Sequence, residues 1–329
     1  MSDLDLHPEE AVCEPTPGPG PVAELYPARE VPLGGVRGVY VERVLPQRDL
    51  PTVGAWCFLD HFGSPTVTKT GASPDIDPHP HIGLQTVTWP FDGRIRHRDS
   101  VGSDVEIEPG QLNLMTSGRG IAHSEYGVAG AHAGHGLQLW IALPGNSLGV
   151  DPHFEQHREL PVHEAPGVRA IVLIGTFAGL TSPAKAYTPI VGADVRIEPG
   201  TDTTVALDPE FEHALMVIEG NVTADGTELA AGPLLYLGTG REELRLSSAE
   251  GAHFALIGGE PFGEELVMWW NFVGRSHEDI VAARNDWEKH DVERFADIAG
   301  HTPEQRIPAP PLPGLHLKPR KRRIGPART

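Results

Sequence analysis

Glycine and proline occur so often in this chain that long helices have little room to form. There are 38 glycines and 32 prolines among 329 residues, so about a fifth of the positions favour turns or chain breaks. Such frequent interruption favours many short strands joined by turns. We therefore predict an all-β fold.

A hairpin pattern is visible between residues 85 and 110. The segment 85–91 alternates apolar and polar residues, Asp92-Gly93 supplies a turn, and 94–98 is the return strand. A further alternating run, 105–108, ends at Pro109-Gly110. Antiparallel hairpins of this kind can close into a barrel.

A weaker copy of this pattern follows downstream. Residues 213–219 run into a turn at Gly220, and Gly232-Pro233 precedes an apolar run over 234–237. The order and the spacing of these features match those of the first set. Two similar barrels in tandem are the simplest interpretation.

The predicted organisation has two barrels between two tails. Residues 29–145 form the first barrel, and residues 146–300 form the second barrel together with a helix. The helix is expected within 277–298, where apolar residues recur with helical spacing. Proline and acidic residues in 1–28 predict a disordered N-terminal tail, and 301–329 is a Pro-rich basic tail.

Charge and apolar content argue against several classes of protein. A formal net charge of −19 opposes direct binding to nucleic acid, since phosphate contacts need a basic surface. The basic cluster at Lys318 and 320–323 is a local exception, which we interpret as a solvated end. No apolar run reaches membrane-spanning length and the N-terminus is acidic, so we expect a cytoplasmic protein. Cys13 and Cys57 make no disulfide framework, and Cys57 is expected to be buried.

Two pairs of polar residues give the strongest indication of function. His79 and His81 lie in an Asp-Pro-His-Pro-His segment, and His123 and Glu125 follow some forty residues later. Side chains alternate along a strand, so each i, i+2 pair points to one face. On neighbouring strands the two pairs would direct three imidazoles and a carboxylate to one point, a set that borderline divalent metals accept. The competing interpretation is a surface loop for the first pair and a local hydrogen bond within the second.

The second barrel lacks this set of ligands. The same offsets, counted from its turns, place Ala206, Asp208, Arg245 and Ser247 at the four candidate positions. We therefore expect a metal in the first barrel only. His213 is the one nearby residue that could serve as a displaced ligand.

Four segments together resemble the pirin family, the two-barrel members of the cupin superfamily. These segments are 58–63 (FLDHFG), 78–83 (PHPHIG), 97–100 (HRDS) and 118–125 (GRGIAHSE). The resemblance is dense from 36 to 144 and returns over 267–288. It implies two tandem cupin barrels, each a double-stranded β-helix or jelly roll, with a short C-terminal helix.

The resemblance also implies a cofactor and two possible roles. The metal is usually Fe(II), with Ni, Cu, Mn and Zn as alternatives, and its ligands map to His79, His81, His123 and Glu125. Some pirins resemble quercetin 2,3-dioxygenases, whose partners would be a small aromatic substrate and dioxygen. Others are described as iron-dependent transcription co-regulators, which implies a protein partner. We favour an enzyme that cleaves a flavonol or a related small aromatic, and the alternative is an iron- or redox-sensing binding protein.

Further residues are expected around this metal. Glu125 is the candidate catalytic base, because its carboxylate can accept the proton of a substrate hydroxyl. His97 and His61 are candidates to orient the ligands, with a structural hydrogen bond as the competing role. Trp89 and Phe91 either line a pocket or, as we expect, pack in the core. Five other histidines are expected at the surface, namely His132, His135, His153, His157 and His163.

Overall fold

Strands dominate the part of the chain that the computed structural model describes, which is residues 11–13, 20–33, 39–65, 67, 75–128, 134–314 and 316–317. These ranges hold one α-helix and two short 3-10 helices, at Gly145–Ser147 and Pro303–Gln305. The predicted all-β fold is confirmed.

The strands are short, as the frequency of glycine and proline predicts. The first twelve are β1 (Ala11–Cys13), β2 (Pro21–Tyr26), β3 (Arg29–Leu33), β4 (Val39–Leu45), β5 (Trp56–Phe62), β6 (Ile76–His81), β7 (Leu84–Asp92), β8 (Ile95–Asp99), β9 (Asp104–Ile107), β10 (Leu112–Thr116), β11 (Ile121–Gly127) and β12 (His135–Ala142). The following thirteen are β13 (His153–His157), β14 (Val162–Ala165), β15 (Val168–Phe177), β16 (Leu180–Thr181), β17 (Ile190–Ile197), β18 (Thr201–Ala206), β19 (Glu212–Ala224), β20 (Thr227–Ala230), β21 (Leu234–Gly238), β22 (Glu243–Ser248), β23 (Ala252–Gly259), β24 (Leu266–Trp269) and β25 (Phe272–Gly274).

The first barrel consists of two antiparallel sheets. One sheet has the strand order β13-β10-β7-β12-β5-β4-β3, and the other has the order β6-β11-β8-β9. The Asp92-Gly93 turn connects β7 to β8, and Gly93 adopts a φ of +78° there. Because β7 and β8 lie in different sheets, this turn is a corner of the barrel, and the predicted pairing of 85–91 with 94–98 is wrong. A local turn pattern gives the reversal of the chain but not the sheet that the next strand joins.

The second barrel has an interior filled with apolar side chains. Its main path is β14-β15-β17-β23-β19-β21-β2, and β16, β18, β20 and β22 pair off this path. Leu215, Val217 and Phe254 are among the buried residues of its core. Such a core stabilises the barrel and offers little for binding a polar ligand.

Two strands cross the expected boundaries between the parts of the chain. β2 was expected in a disordered tail over 1–28, but it pairs with β21 of the second barrel, with Leu25 opposite Leu235. β13 follows the expected boundary at 145, yet it pairs with β10 of the first barrel. β2 is an edge strand whose residues alternate between exposed and half-buried, so its apolar signal is weak. Residues 1–10 and 14–19 lie outside the described part.

The predicted C-terminal helix is present and ends earlier than its pattern. Helix α1 runs from His277 to Glu288, and Ser276 caps it with an Oγ that accepts the Asp279 N–H at 3.1 Å. Its buried face, Ile280, Ala283 and Trp287, belongs to the same cluster as Ile82 and Ala122 of the first barrel. The helix therefore covers the first barrel. In the described ranges, no helix is long and apolar enough to cross a bilayer.

The Pro-rich segment after residue 301 packs against this helix. Trp287 Nε1 donates to the Ile307 carbonyl at 2.8 Å, and Arg284 Nε donates to the Pro310 carbonyl at 2.7 Å. Ala309 is buried in the same cluster. This part of the expected tail is therefore attached to the fold, while the basic cluster from Lys318 onward lies outside the described residues.

An apolar core joins the two barrels. It contains Trp56 and Trp89 from the first barrel and Met216 from the second. Trp89 Nε1 donates to Asp194 Oδ2 at 2.7 Å, which links β7 to β17. Phe91 packs against the same core, so Trp89 and Phe91 are packing residues, as expected.

Candidate metal centre

The four candidate ligands lie on two adjacent strands of the four-stranded sheet. β6 carries His79 and His81, and β11 carries His123 and Glu125. The antiparallel register places His79 directly opposite His123, and an irregularity follows between His123 and Glu125. All four side chains are buried, with at most 1% of their surface exposed. Each i, i+2 pair therefore has both of its side chains buried on one strand, as strand alternation predicts.

The ligand atoms converge around His123. Atoms of His79, His81 and His123 lie within 4.8 Å of one another, and so do atoms of His97, His123 and Glu125. The Nε2 atoms of His81 and His123 are 3.1 Å apart. Because His123 belongs to both groups, the structure brings the four predicted ligands and His97 together.

Backbone carbonyls fix the tautomers of two imidazoles. His79 Nδ1 is 2.8 Å from the Asp77 carbonyl oxygen, and His81 Nδ1 is 3.0 Å from that of Asn271. A carbonyl only accepts, so each Nδ1 carries the proton and each Nε2 offers its lone pair. Asn271 lies in the turn between β24 and β25, so a segment far along the chain completes this site.

His97 and Asp99 fix the third imidazole. His97 Nε2 is 3.1 Å from Asp99 Oδ2, and His97 Nδ1 is 3.4 Å from His123 Nδ1. Since the carboxylate accepts from Nε2, the Nδ1 of His97 can accept from His123, whose Nε2 is then available to a metal. Although burial raises the pKa of Asp99, hydrogen bonds from His97 and Ser103 bring it below its ordinary value. Asp99 is thus an anion that holds this arrangement in place.

Burial keeps the three ligand imidazoles neutral. It lowers the pKa of His79 to about 4, and it holds the pKa values of His81 and His123 well below their ordinary value. The neutral imidazole is the form that binds metals. No proton has to be displaced from these side chains at neutral pH.

The wall of the site combines polar and aromatic groups that sequence reasoning missed. Thr88 Oγ1 is 3.2 Å from Glu125 Oε1 and 3.0 Å from Gln138 Oε1. The Trp140 ring lies edge-on to the His81 ring, with centroids 5.3 Å apart. Thr88 precedes the core residue Trp89 on β7, so strand alternation directs Thr88 to the opposite face. This alternation could have identified Thr88 from the sequence.

His61, which we considered either as a residue that orients the ligands or as one with a structural hydrogen bond, lies on the other face of its strand. It shares a face of β5 with Leu59, which belongs to the core between the barrels. Its Nε2 is 2.7 Å from the Nε2 of His135, which is half-buried. His132 lies outside the described residues, and three more histidines expected at the surface are half-buried, namely His153, His157 and His163.

Apolar residues replace the ligands in the second barrel. Val205, Leu244 and Leu246 are buried in its core, whereas Ala206 and Arg245, the positions reached by counting, are exposed. The buried positions of the second barrel therefore lie one residue away from those reached by counting from its turns. Across the described ranges, no group of three metal-binding side chains converges in this barrel. His213 is buried without such a group, and its pKa is lowered by burial to about 4.

Comparisons with known proteins agree with this architecture. Residues 38–141 match the Pirin family, and residues 192–293 match the pirin C-terminal cupin domain. The chain is 43% identical over 286 residues to a Pseudomonas aeruginosa protein provisionally named quercetin 2,3-dioxygenase PA1205. The match covers 87% of this chain and 89% of the relative.

Solved structures show the same fold. The crystal structure of a quercetin 2,3-dioxygenase from Acinetobacter baumannii has a TM-score of 0.82 and 41% identity, over 90% of this chain and 98% of that one. The bacterial pirin YhhW from Escherichia coli, solved in complex with nickel(II), has a TM-score of 0.58 and 17% identity, over 73% and 100% of the chains. At that identity the likeness shows the shared fold alone. From its two matching domains and its relatives, the chain belongs to the pirin family.

Proposed function

We propose that this protein is a metal-dependent dioxygenase of the quercetin 2,3-dioxygenase type, acting on a flavonol or a related small aromatic. The observation that carries the proposal is a buried group of three neutral imidazoles whose donor atoms lie within 4.8 Å of one another, with the Glu125 carboxylate equally close to His123. The names of the Pseudomonas and Acinetobacter relatives support the substrate class.

The donor set fits a borderline divalent metal. His79, His81, His123 and Glu125 would hold it, and imidazole nitrogen with carboxylate oxygen suits Fe(II), our preferred ion, as well as Ni, Cu, Mn and Zn. When bound, the metal supplies Lewis-acid and redox chemistry. The nickel in YhhW is a property of that protein, and it shows that the fold can hold such an ion.

The side chains of this chain bind and orient the substrate and move its proton. The Trp140 ring stacks on Phe58 and lies edge-on to the His81 ring with centroids 5.3 Å apart, so an aromatic substrate that reaches the metal would lie near this ring. Glu125 accepts the proton of the substrate hydroxyl, and Thr88 Oγ1 donates to Glu125 Oε1 and holds that carboxylate in place. His97, through His123, acts as a positioning residue.

One contact favours a sensing role as the second candidate. The Asn271 carbonyl accepts from His81 and lies between β24 and β25, and α1 packs against both of these strands. A change at His81 is thereby connected to a helix at the surface of the protein. In that role the iron state would alter a surface for a protein partner, without turnover.

Oxygen uptake with quercetin separates the two functions. We expect Fe(II)-loaded protein to consume oxygen with loss of the flavonol absorbance, and a His79→Ala, His81→Ala variant that cannot hold the metal to show neither. Glu125→Gln should lower turnover more than it lowers metal content, because the base is lost while three imidazoles remain. Equal losses would reduce Glu125 to a ligand. No uptake by protein that carries its metal would favour sensing.

A further inference from the structure

A second pair of imidazoles meets on the other face of the first barrel. His61 lies near the end of β5, and His135 is the first residue of the neighbouring strand β12. Their Nε2 atoms are 2.7 Å apart and their ring centroids 4.9 Å. This approach of two nitrogen atoms resembles the 3.1 Å between His81 and His123 in the metal centre.

A carboxylate stands behind this pair. Glu42 Oε2 lies 3.4 Å from His61 Nδ1 and accepts a hydrogen bond from Ser64 Oγ at 2.7 Å. With its proton on Nδ1, toward this carboxylate, His61 would direct the lone pair of Nε2 to His135. Metal-binding histidines commonly have a carboxylate in this position. Burial lowers the pKa of His135 to about 4, so this imidazole is neutral at neutral pH.

Close backbone packing holds the two strand ends together. A Cβ at Gly63 would lie 2.3 Å from the Gly134 carbonyl oxygen, and a Cβ at Gly136 would lie 2.5 Å from that of Trp89. These glycines allow an approach that other residues would prevent. The rings of the pair are therefore presented by a rigid backbone, and such rigidity favours binding of an ion.

We propose that His61 and His135 form a second metal site, which takes a borderline transition-metal cation such as Zn²⁺ or Cu²⁺. Two Zn–N bonds at a tetrahedral angle need the nitrogens about 3.4 Å apart. A small movement of the half-buried His135 ring would supply this adjustment, and water at its partly exposed side would complete the coordination. Two protein ligands bind more weakly than four, so this site fills after the first centre.

Zinc binding to apoprotein tests the proposal. A His79→Ala, His123→Ala variant breaks both groups of candidate ligands in the first centre and should retain about one zinc ion per chain in equilibrium dialysis with elemental analysis. Adding His61→Gln should remove this ion. Glu42→Gln in the same background should weaken binding roughly 10- to 100-fold. His163→Gln, a histidine removed elsewhere, is the matched control and should change nothing.

Zinc stoichiometry of single variants tests the proposal if the double variant fails to fold. Wild-type protein should then bind two zinc ions and His135→Gln one, and the second equivalent of Cu²⁺ should add an electron paramagnetic resonance signal with imidazole nitrogen couplings that His135→Gln lacks. Equal stoichiometry in wild type and His135→Gln would overturn the proposal. It would leave the pair as a hydrogen bond between two imidazoles.

Discussion

His97 is buried beside His123 but is not one of the four predicted ligands. Replacing it tests whether such a neighbouring imidazole affects the affinity of the centre for its metal. His97 Nδ1 lies 3.4 Å from His123 Nδ1, and its Nε2 is paired with Asp99. In His97→Leu the Nδ1–H of His123 loses its acceptor in a buried site. His123 can then place its proton on Nε2, the atom that a metal needs.

The expected loss in affinity is at the lower end of the usual range. Removing an outer partner of a metal ligand commonly weakens binding about 10- to 100-fold, which corresponds to about 1.4 to 2.8 kcal/mol. The separation of 3.4 Å is long for a hydrogen bond, so we expect about 10-fold for His97→Leu.

His97→Asn is the matched control for this change. Its amide oxygen can stand near the former Nδ1 and accept from His123, while the stacking of His97 on Phe154, at 4.4 Å between centroids, is lost in both variants. Competition between apoprotein and a chromophoric chelator for Ni²⁺ measures the affinities. If the leucine and asparagine variants bind equally well, the acceptor has no role and the reasoning is refuted.

Two further predictions concern stability. Because His213 has a pKa near 4 in the folded chain and about 6.5 when unfolded, the unfolded state binds more protons between these values, and stability falls as the pH drops through this window. The loss in the free energy of unfolding reaches about 3 kcal/mol at pH 4. In His213→Phe the stability measured by urea unfolding should therefore depend less on pH, and an unchanged dependence would contradict this. Trp56 Nε1 donates to the carbonyls of Val191 and Gly258 at 3.0 and 3.1 Å, so Trp56→Phe should cost about 1–3 kcal/mol in thermal unfolding, and no loss would show that these bonds add nothing across the barrels.

The frequency of glycine and proline was sufficient to predict the all-β fold class, and strand periodicity was sufficient to predict that the four candidate ligands lie as two pairs on adjacent strands. Alternation along a strand is a local rule, and His79 with His81, and His123 with Glu125, follow it directly. The same rule, applied to β5, separates His61 from Phe58 and would have placed His61 on the outer face.

Contacts between distant segments could not be predicted in this way. β2 and β13 join barrels on the far side of the expected boundaries, because edge positions carry little apolar signal. The acceptor for His81 is a backbone carbonyl, which any residue at position 271 supplies, so no side-chain pattern identifies it. Thr88 and Gln138 are ordinary strand residues whose role depends on what faces them across the barrel.

The separation of 190 positions between His81 and Asn271 along the chain has a consequence for how the protein matures in the cell. During synthesis the first barrel leaves the ribosome well before the β24–β25 turn, so His81 lacks its acceptor while the rest of the ligand set is already made. β13, which completes the sheet of this barrel, also emerges only after residue 157. Full ordering of the site is therefore a late event, and a chain that is truncated before the turn would acquire its metal poorly even with every ligand present.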